Sequence, residues 1–134
     1  MRYTITLIVY FFSISLSIAS VSYYQEALQS FEDDNFELSI KYLEKNIVFN
    51  PKSSESYVLL GKTYSALENN EKAKKYFKIA YTLIPENVEL NYLLGEVSYN
   101  LGLIEEYAEY LSNLEILCTE KCEEIDQLKK LSTE

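Results

Sequence analysis

The feature that most constrains the fold of this chain is an internal repeat with a spacing of 34 residues. Pro51 and Pro85 are separated by this spacing. So are Gly61 and Gly95, which lie in the similar segments YVLLGKTY and NYLLGEVS. A repeat of this length is typical of helical hairpins that stack side by side, because a single hairpin cannot bury its apolar face alone. The chain is therefore expected to form an array of similar units.

Each unit is expected to contain two amphipathic helices. Apolar and small residues recur at helical spacing, as at Ala73, Phe77 and Ala80. No segment of useful length shows the alternation that indicates a strand. Turn-forming residues stand between the apolar stretches, and the expected helix N-caps among them are Ser53 or Ser54, Asn70 and Asn87.

The middle unit, about 54–87, resembles the tetratricopeptide repeat, a 34-residue helical hairpin with fixed aromatic, small and proline positions. The resemblance implies that Gly61 and Ala73 are small where two helices cross closely, and that Pro85 ends the second helix. Tyr64 and Phe77 are expected to fill the space around that contact. The residues that carry the resemblance are Tyr57, Leu60, Gly61, Tyr64, Ala73, Phe77, Ala80 and Pro85.

The first and third units, about 20–53 and 88–119, follow the same pattern less completely. The third keeps Gly95, but Ser98 replaces the second aromatic residue and Tyr107 stands where a small residue belongs. Terminal repeats often depart from the pattern because one of their sides faces water.

The resemblance predicts an all-α fold, a tetratricopeptide-like solenoid. It would have three helical hairpins and a C-terminal capping helix at about 120–131. Together they would form a single domain over residues 20–134.

Stacked hairpins of this family curl into a superhelix whose concave face is lined by the first helix of each pair. Tyrosine suits such a peptide-binding groove because it offers apolar area together with a polar tip. The alternative is that these tyrosines belong to the core or to a packed terminus. The resemblance places on the concave face Tyr24, Leu28, Val58, Lys62, Tyr92, Glu96 and Tyr99.

Some co-chaperones of this family hold the C-terminal carboxylate of a peptide with lysine, asparagine and arginine side chains from the concave face. That clamp is predicted to be absent here. The expected ligand is instead an extended or helical segment of another protein, with apolar and basic side chains. The clamp positions are occupied by Tyr24, Leu28, Leu59, Glu89 and Leu93.

The composition argues against catalysis and against nucleic acid as a partner. The chain has no histidine, and its net charge of −9 at pH 7 is unfavourable for polyanions. The alternative is that this charge only keeps the surface solvated. We expect no catalytic residue, no cofactor, no metal and no small-molecule substrate. Self-association is compatible with an array this short.

The N-terminal residues 1–19 have the features of a secretory signal peptide. Arg2 gives a short basic start, an apolar run extends over residues 5–18, and cleavage is expected after Ala19. Cleavage predicts an exported protein in a periplasmic or other extracytoplasmic compartment. The alternative is an uncleaved anchor at residues 3–21, which would make the chain a membrane-bound subunit of an envelope complex.

The only two cysteines, Cys118 and Cys122, form a C-x-x-x-C pair near the C-terminus. An exported protein favours a disulfide. Free thiols, a thiol-redox role and a metal site shared with carboxylates or a second copy are the alternatives. Within one unbroken helix the pair would be too far apart to bond, but across a turn it could close. We therefore predict that it straps the capping helix to the array, with Thr119 as the N-cap and Cys122 in the first turn. This end is also similar to the cysteine-bearing tails of small exported bacterial repeat proteins.

The leader and the disulfide can be tested on one sample by measuring the intact mass of the protein from its native envelope fraction. We expect a chain that begins near residue 20 and lacks two hydrogen atoms. The full-length mass would contradict cleavage. A mass that rises by no more than experimental error after reduction would contradict the disulfide.

Overall fold

The structure is a computed structural model that describes residues 23–119 and 122–133. The predicted signal peptide and the alternative anchor at 3–21 lie outside the described residues. The described residues are helical with short turns, and none of them forms a strand. The helix α1 is described over 23–32. It is followed by α2 (Phe36–Phe49), α3 (Ser54–Ala66), α4 (Asn70–Leu83), α5 (Val88–Asn100), α6 (Ile104–Leu117) and α7 (Glu123–Leu131).

Side-chain caps begin four of these helices. A capping oxygen satisfies one of the backbone N–H groups that have no partner in the first turn. The prediction of Asn70 as a cap was wrong by one residue, because Asn69 accepts the bond from Lys72 N at 3.1 Å and Asn70 is already helical. Helix α6 differs, since Leu103 holds its cap position without a side-chain bond. The capping residues are Asn35, Ser53, Asn69 and Asn87.

From α2 onward, consecutive helices pack against one another along the array, and α7 packs on both α5 and α6. One hydrophobic core extends from α1 to α6. The repeat register sets its positions, because Leu43 and Phe77 are 34 residues apart, as are Leu60 and Leu94, and all four are fully buried. Burial of each such side chain contributes about 1.5–3 kcal/mol.

Helices α3 and α4 lie close together at Gly61 and Phe77. A Cβ atom built on Gly61 would lie 2.2 Å from Cε1 of the Phe77 ring. On the same face of α4, Ala73 and Ala80 are fully buried. Small side chains at these positions allow the helix axes to approach, and the Phe77 ring fills the space between them.

The third hairpin uses the equivalent positions differently. In the middle hairpin the rings of Tyr64 and Tyr76 stack with their centroids 5.4 Å apart. The residue 34 positions after Tyr64 is the fully buried Ser98, and the residue 34 after Tyr76 is Tyr110, which is only 3% exposed. The Tyr110 ring meets Tyr81 edge-on at 5.8 Å. We infer that the small Ser98 leaves the space in which Tyr110 is buried.

A substitution of Gly61 by alanine tests the close approach of α3 and α4. The added methyl group would collide with Phe77, so we expect the free energy of unfolding to fall by about 1–3 kcal/mol. Phe77→Leu removes the colliding ring atoms, and the double variant should therefore lose less than the two single losses combined. Urea denaturation measures all three values. Strictly additive losses would show that Gly61 and Phe77 are not coupled.

The buried Tyr110 makes stability depend on pH in the alkaline range. Burial raises the pKa of Tyr110 to about 12, with Glu106 and Glu109 contributing. Because the neutral phenol is favoured in the folded state, this stabilisation is complete below pH 10 and declines as the pH rises toward 12. The unfolding free energy of Tyr110→Phe should fall less steeply over this interval than that of the unchanged protein. Parallel curves would contradict this role of Tyr110.

Candidate functional site

A cleft of about 430 Å³ opens beside α3 and reaches α1, the α4–α5 turn and the first turn of α5. Its walls combine apolar side chains with charged ones. The apolar walls are formed mainly by Tyr24, Leu28 and Val58, and the charged groups are Glu55, Lys62 and Glu89.

Helix α3 supplies most of the cleft because one of its stripes faces away from the core. Glu55, Val58 and Lys62 follow one another at the i, i+3 and i+7 spacing of a single helix face. The neighbouring face buries Leu60 and Gly61 against the rest of the array. Ser53 fixes the start of the helix, because its Oγ accepts a hydrogen bond from Ser56 N at 3.2 Å. The orientation of this stripe therefore follows from the packing of α3.

The charges of the cleft favour a cation. Lys62 Nζ donates to Glu89 Oε1 and links α3 to α5, and both side chains are partly exposed. Glu55 adds a second carboxylate, so two negative charges and one positive charge line the cleft. Burial raises the pKa of the Tyr24 phenol above its ordinary value, and Glu55 and Glu89 raise it further. The phenol therefore stays neutral at physiological pH and can donate a hydrogen bond.

The structure brings together four of the seven residues predicted for the concave face: Tyr24, Leu28, Val58 and Lys62. Sequence reasoning did not assign Glu55 to this face, although its spacing from Val58 and Lys62 on one helix would have identified it.

The other three predicted residues, Tyr92, Glu96 and Tyr99, lie on α5 outside the cleft. Tyr92 and Tyr99 are half-buried against a second hydrophobic cluster. The Tyr92 hydroxyl donates to Glu96 Oε1 at 3.2 Å. Burial raises the pKa of Tyr92, and the carboxylates of Glu96 and of Glu124, a residue of α7, raise it further. This part of α5 is therefore covered by α7.

Helix α7 is seated on α5 and α6 through Leu128. A Cβ atom built on Gly95 would lie 2.6 Å from Leu128 Cδ2, so the glycine makes room for this leucine. The Tyr107 hydroxyl donates to the Leu128 carbonyl oxygen at 3.0 Å. An ion pair joins Lys129 Nζ to Glu115 Oε1 at 2.7 Å. Tyr107, the large residue at a position expected to be small, thus holds α7.

The two cysteines stand on either side of the break between α6 and α7. Their Sγ atoms lie 2.10 Å apart and their Cα atoms 6.1 Å apart, which is the geometry of a disulfide. Cys118 follows the last residue of α6, and Cys122 occupies the N-cap position of α7. The predicted start of the last helix, at about residue 120 with Thr119 as the N-cap, was too early. The helix begins at Glu123, and Cys122 holds the N-cap position instead of lying in the first turn. The cysteines therefore do not share one continuous helix, in which they would lie too far apart to bond.

Neither a metal-binding cluster nor a membrane-spanning helix is found among the described residues. Among them no group of three or more histidine, cysteine or acidic residues could hold a metal ion. No helix within residues 23–119 or 122–133 is long and apolar enough to cross a membrane.

Comparison with known proteins identifies the repeat and the fold. A sequence profile described as the tetratricopeptide repeat matches residues 54–87. No curated protein matches the chain in sequence.

Solved structures of similar shape include two tetratricopeptide-repeat domains and a secretion chaperone. The second such domain of human RPAP3, in complex with the HSP70 peptide SGPTIEEVD, has a TM-score of 0.79 at 15% identity and covers 89% of this chain and 99% of that one. The first such domain of Spaghetti (RPAP3), bound to the HSP90 peptide SRMEEVD, has a TM-score of 0.78 at 16% identity, covering 87% and 93%.

The Yersinia enterocolitica type III secretion chaperone SycD, in complex with a peptide of the translocator YopD, has a TM-score of 0.72 at 16% identity. It covers 84% of this chain and 86% of that one. Residues 54–87 are therefore a tetratricopeptide repeat, and the chain has the all-α tetratricopeptide-repeat solenoid fold that its sequence predicts.

Proposed function

We propose that this chain is a non-catalytic interaction module that binds a segment of another protein in the cleft formed by α1, α3 and the start of α5. The observation that carries the proposal is the cleft itself, in which apolar walls and charged groups converge on one space. Peptides are bound to the similar domains of RPAP3 and to SycD, which supports this use of the fold.

The ligand that we propose has apolar and basic side chains. Tyr24 and Val58 offer apolar contact area, while Glu55 and Glu89 would pair with a lysine or arginine of the ligand. Some co-chaperones with this fold carry the basic side chains of a carboxylate clamp on the concave face. At those positions this chain carries other residues, for example Glu89. Acidic peptides such as SRMEEVD, the ligand of the Spaghetti domain, should therefore bind poorly.

We further propose that the protein acts outside the cytoplasm after removal of residues 1–19. An oxidising compartment would maintain the bond between Cys118 and Cys122, which keeps α7 beside the array. The alternative is a subunit of an envelope complex that remains anchored by residues 3–21. Either location presents the cleft to other extracytoplasmic proteins, and nucleic acid is not among the proposed partners.

Selection of random displayed peptides on the full protein tests the ligand class. We expect the selected peptides to combine leucine, isoleucine or aromatic residues with lysine or arginine. Synthetic versions of these peptides should bind the protein variants Tyr24→Ala and Val58→Glu about tenfold more weakly or worse than the unchanged protein. Both changes remove apolar contact area from the cleft. Isothermal titration measures these affinities.

Two controls make the result specific. Lys41→Ala changes an exposed lysine on α2 and should leave affinity unchanged. The peptide SRMEEVD serves as the acidic comparison. Acidic consensus sequences, or affinities that Tyr24→Ala and Val58→Glu leave intact while both variants remain helical, would refute the proposed cleft.

A further inference from the structure

Helix α7 rests on a hydrophobic cluster that is separate from the main core. The buried members of this cluster are Tyr107, Leu114 and Leu128, whereas the main core lies within α1 to α6. Leu128 is the only residue of α7 that is fully buried. The main core therefore contains no residue of α7.

Helix α7 is also too short to be stable by itself. It has nine residues, and isolated helices shorter than about 12–15 residues are marginal in water. Its contacts with the array include the buried Leu128, the half-buried Ile125 and Leu131, and one hydrogen bond from Tyr107. The ion pair between Glu115 and Lys129 is exposed and contributes little. Docking of α7 therefore depends on how closely the chain holds it to α6.

The bond between Cys118 and Cys122 supplies that restraint. It joins the residue after α6 to the residue before α7, so the connection can adopt few arrangements that leave α7 away from its site. A cross-link of this kind raises the effective concentration of the tethered segment.

We propose that α7 is a removable cover over the third-repeat part of the concave face, the surface formed by Tyr92, Gly95 and Tyr99, which we call the α7 dock. A dithiol reductant would transfer two electrons and two protons to the Sγ–Sγ bond. The products are two cysteine thiols and the oxidised, cyclic disulfide of the reductant. Docking of α7 then weakens, and a helix from a partner protein can take its place.

The chemistry of α7 defines the partner. Ile125, Leu128 and Leu131 form an apolar stripe with a spacing of three residues, and the central leucine fits above Gly95. The competing segment is therefore an amphipathic helix with the same apolar spacing and a leucine at its centre. This inference rests on the proposed disulfide. With α7 displaced, the binding surface of the proposed function would extend from the cleft beside α3 along α5.

Amide hydrogen exchange of the full protein tests the release of α7. After treatment with a dithiol, exchange in α7 should become about tenfold faster or more, while exchange in α3 and α4 stays unchanged. The variant Cys118→Ser/Cys122→Ser should exchange rapidly in α7 with or without the dithiol. Equal exchange of α7 in the oxidised, reduced and double-serine proteins would overturn the proposal.

A labelled synthetic peptide of residues 122–133, carrying Cys122→Ser, tests the exposed dock directly. It should bind the reduced protein and the double-serine variant about tenfold more tightly than the oxidised protein. The same peptide with Leu128→Glu is the matched control and should not bind. Equal binding of the peptide to the oxidised and reduced proteins would contradict the cover.

A second protein variant separates the two proposals. Gly95→Ala places a methyl group against Leu128, so α7 should exchange rapidly even in the oxidised protein, and the peptide should bind weakly in every redox state. If the intact mass before reduction is that of the chain with both thiols, the disulfide is refuted. If the protein has the disulfide but neither reduction nor Gly95→Ala changes the amide exchange of α7, only the cover is refuted. Neither result depends on peptide binding in the cleft beside α3.

Discussion

The close approach of α3 and α4 at Gly61 and Phe77 is the contact on which the rest of the array depends. The Phe77 ring occupies the place of a side chain on α3, so the two helices are fixed in both separation and rotation. That rotation directs Val58 and Lys62 into the cleft. The middle hairpin, which follows the repeat pattern nearly throughout, thus builds the core and the best-defined candidate binding surface at the same time.

The third hairpin shows how the same scaffold is adapted at its end. Gly95 occupies the position of Gly61 in the repeat, yet the space above it receives Leu128 of α7. Tyr107 replaces a small residue and reaches the Leu128 carbonyl oxygen. The retained Gly95 and the departure at Tyr107 are therefore complementary, since the first accommodates α7 and the second binds it.

The sequence was sufficient to predict the helical hairpins, because prolines, glycines and apolar residues recur at one spacing. It also identified four residues of the cleft, which lie on the regular hairpins that the repeat register describes. The register could not reveal that Tyr92 and Tyr99 lie beneath α7. Their helix positions match the concave face, but the path of the chain after Cys118 depends on tertiary contacts that helical periodicity does not encode. The cap at Asn69 differs from the expected Asn70 because two adjacent asparagines offer the same side-chain chemistry.

The outward side of α7 has a consequence for what can pack at this end of the array. Its exposed residues include Glu123, Asp126 and Gln127, whereas Leu128 points into the molecule. A further hairpin would need an apolar surface on which to stack, and this polar helix stands where such a surface would otherwise continue. A hairpin or a second copy packed on this side would therefore meet charged and amide side chains where stacking requires an apolar surface.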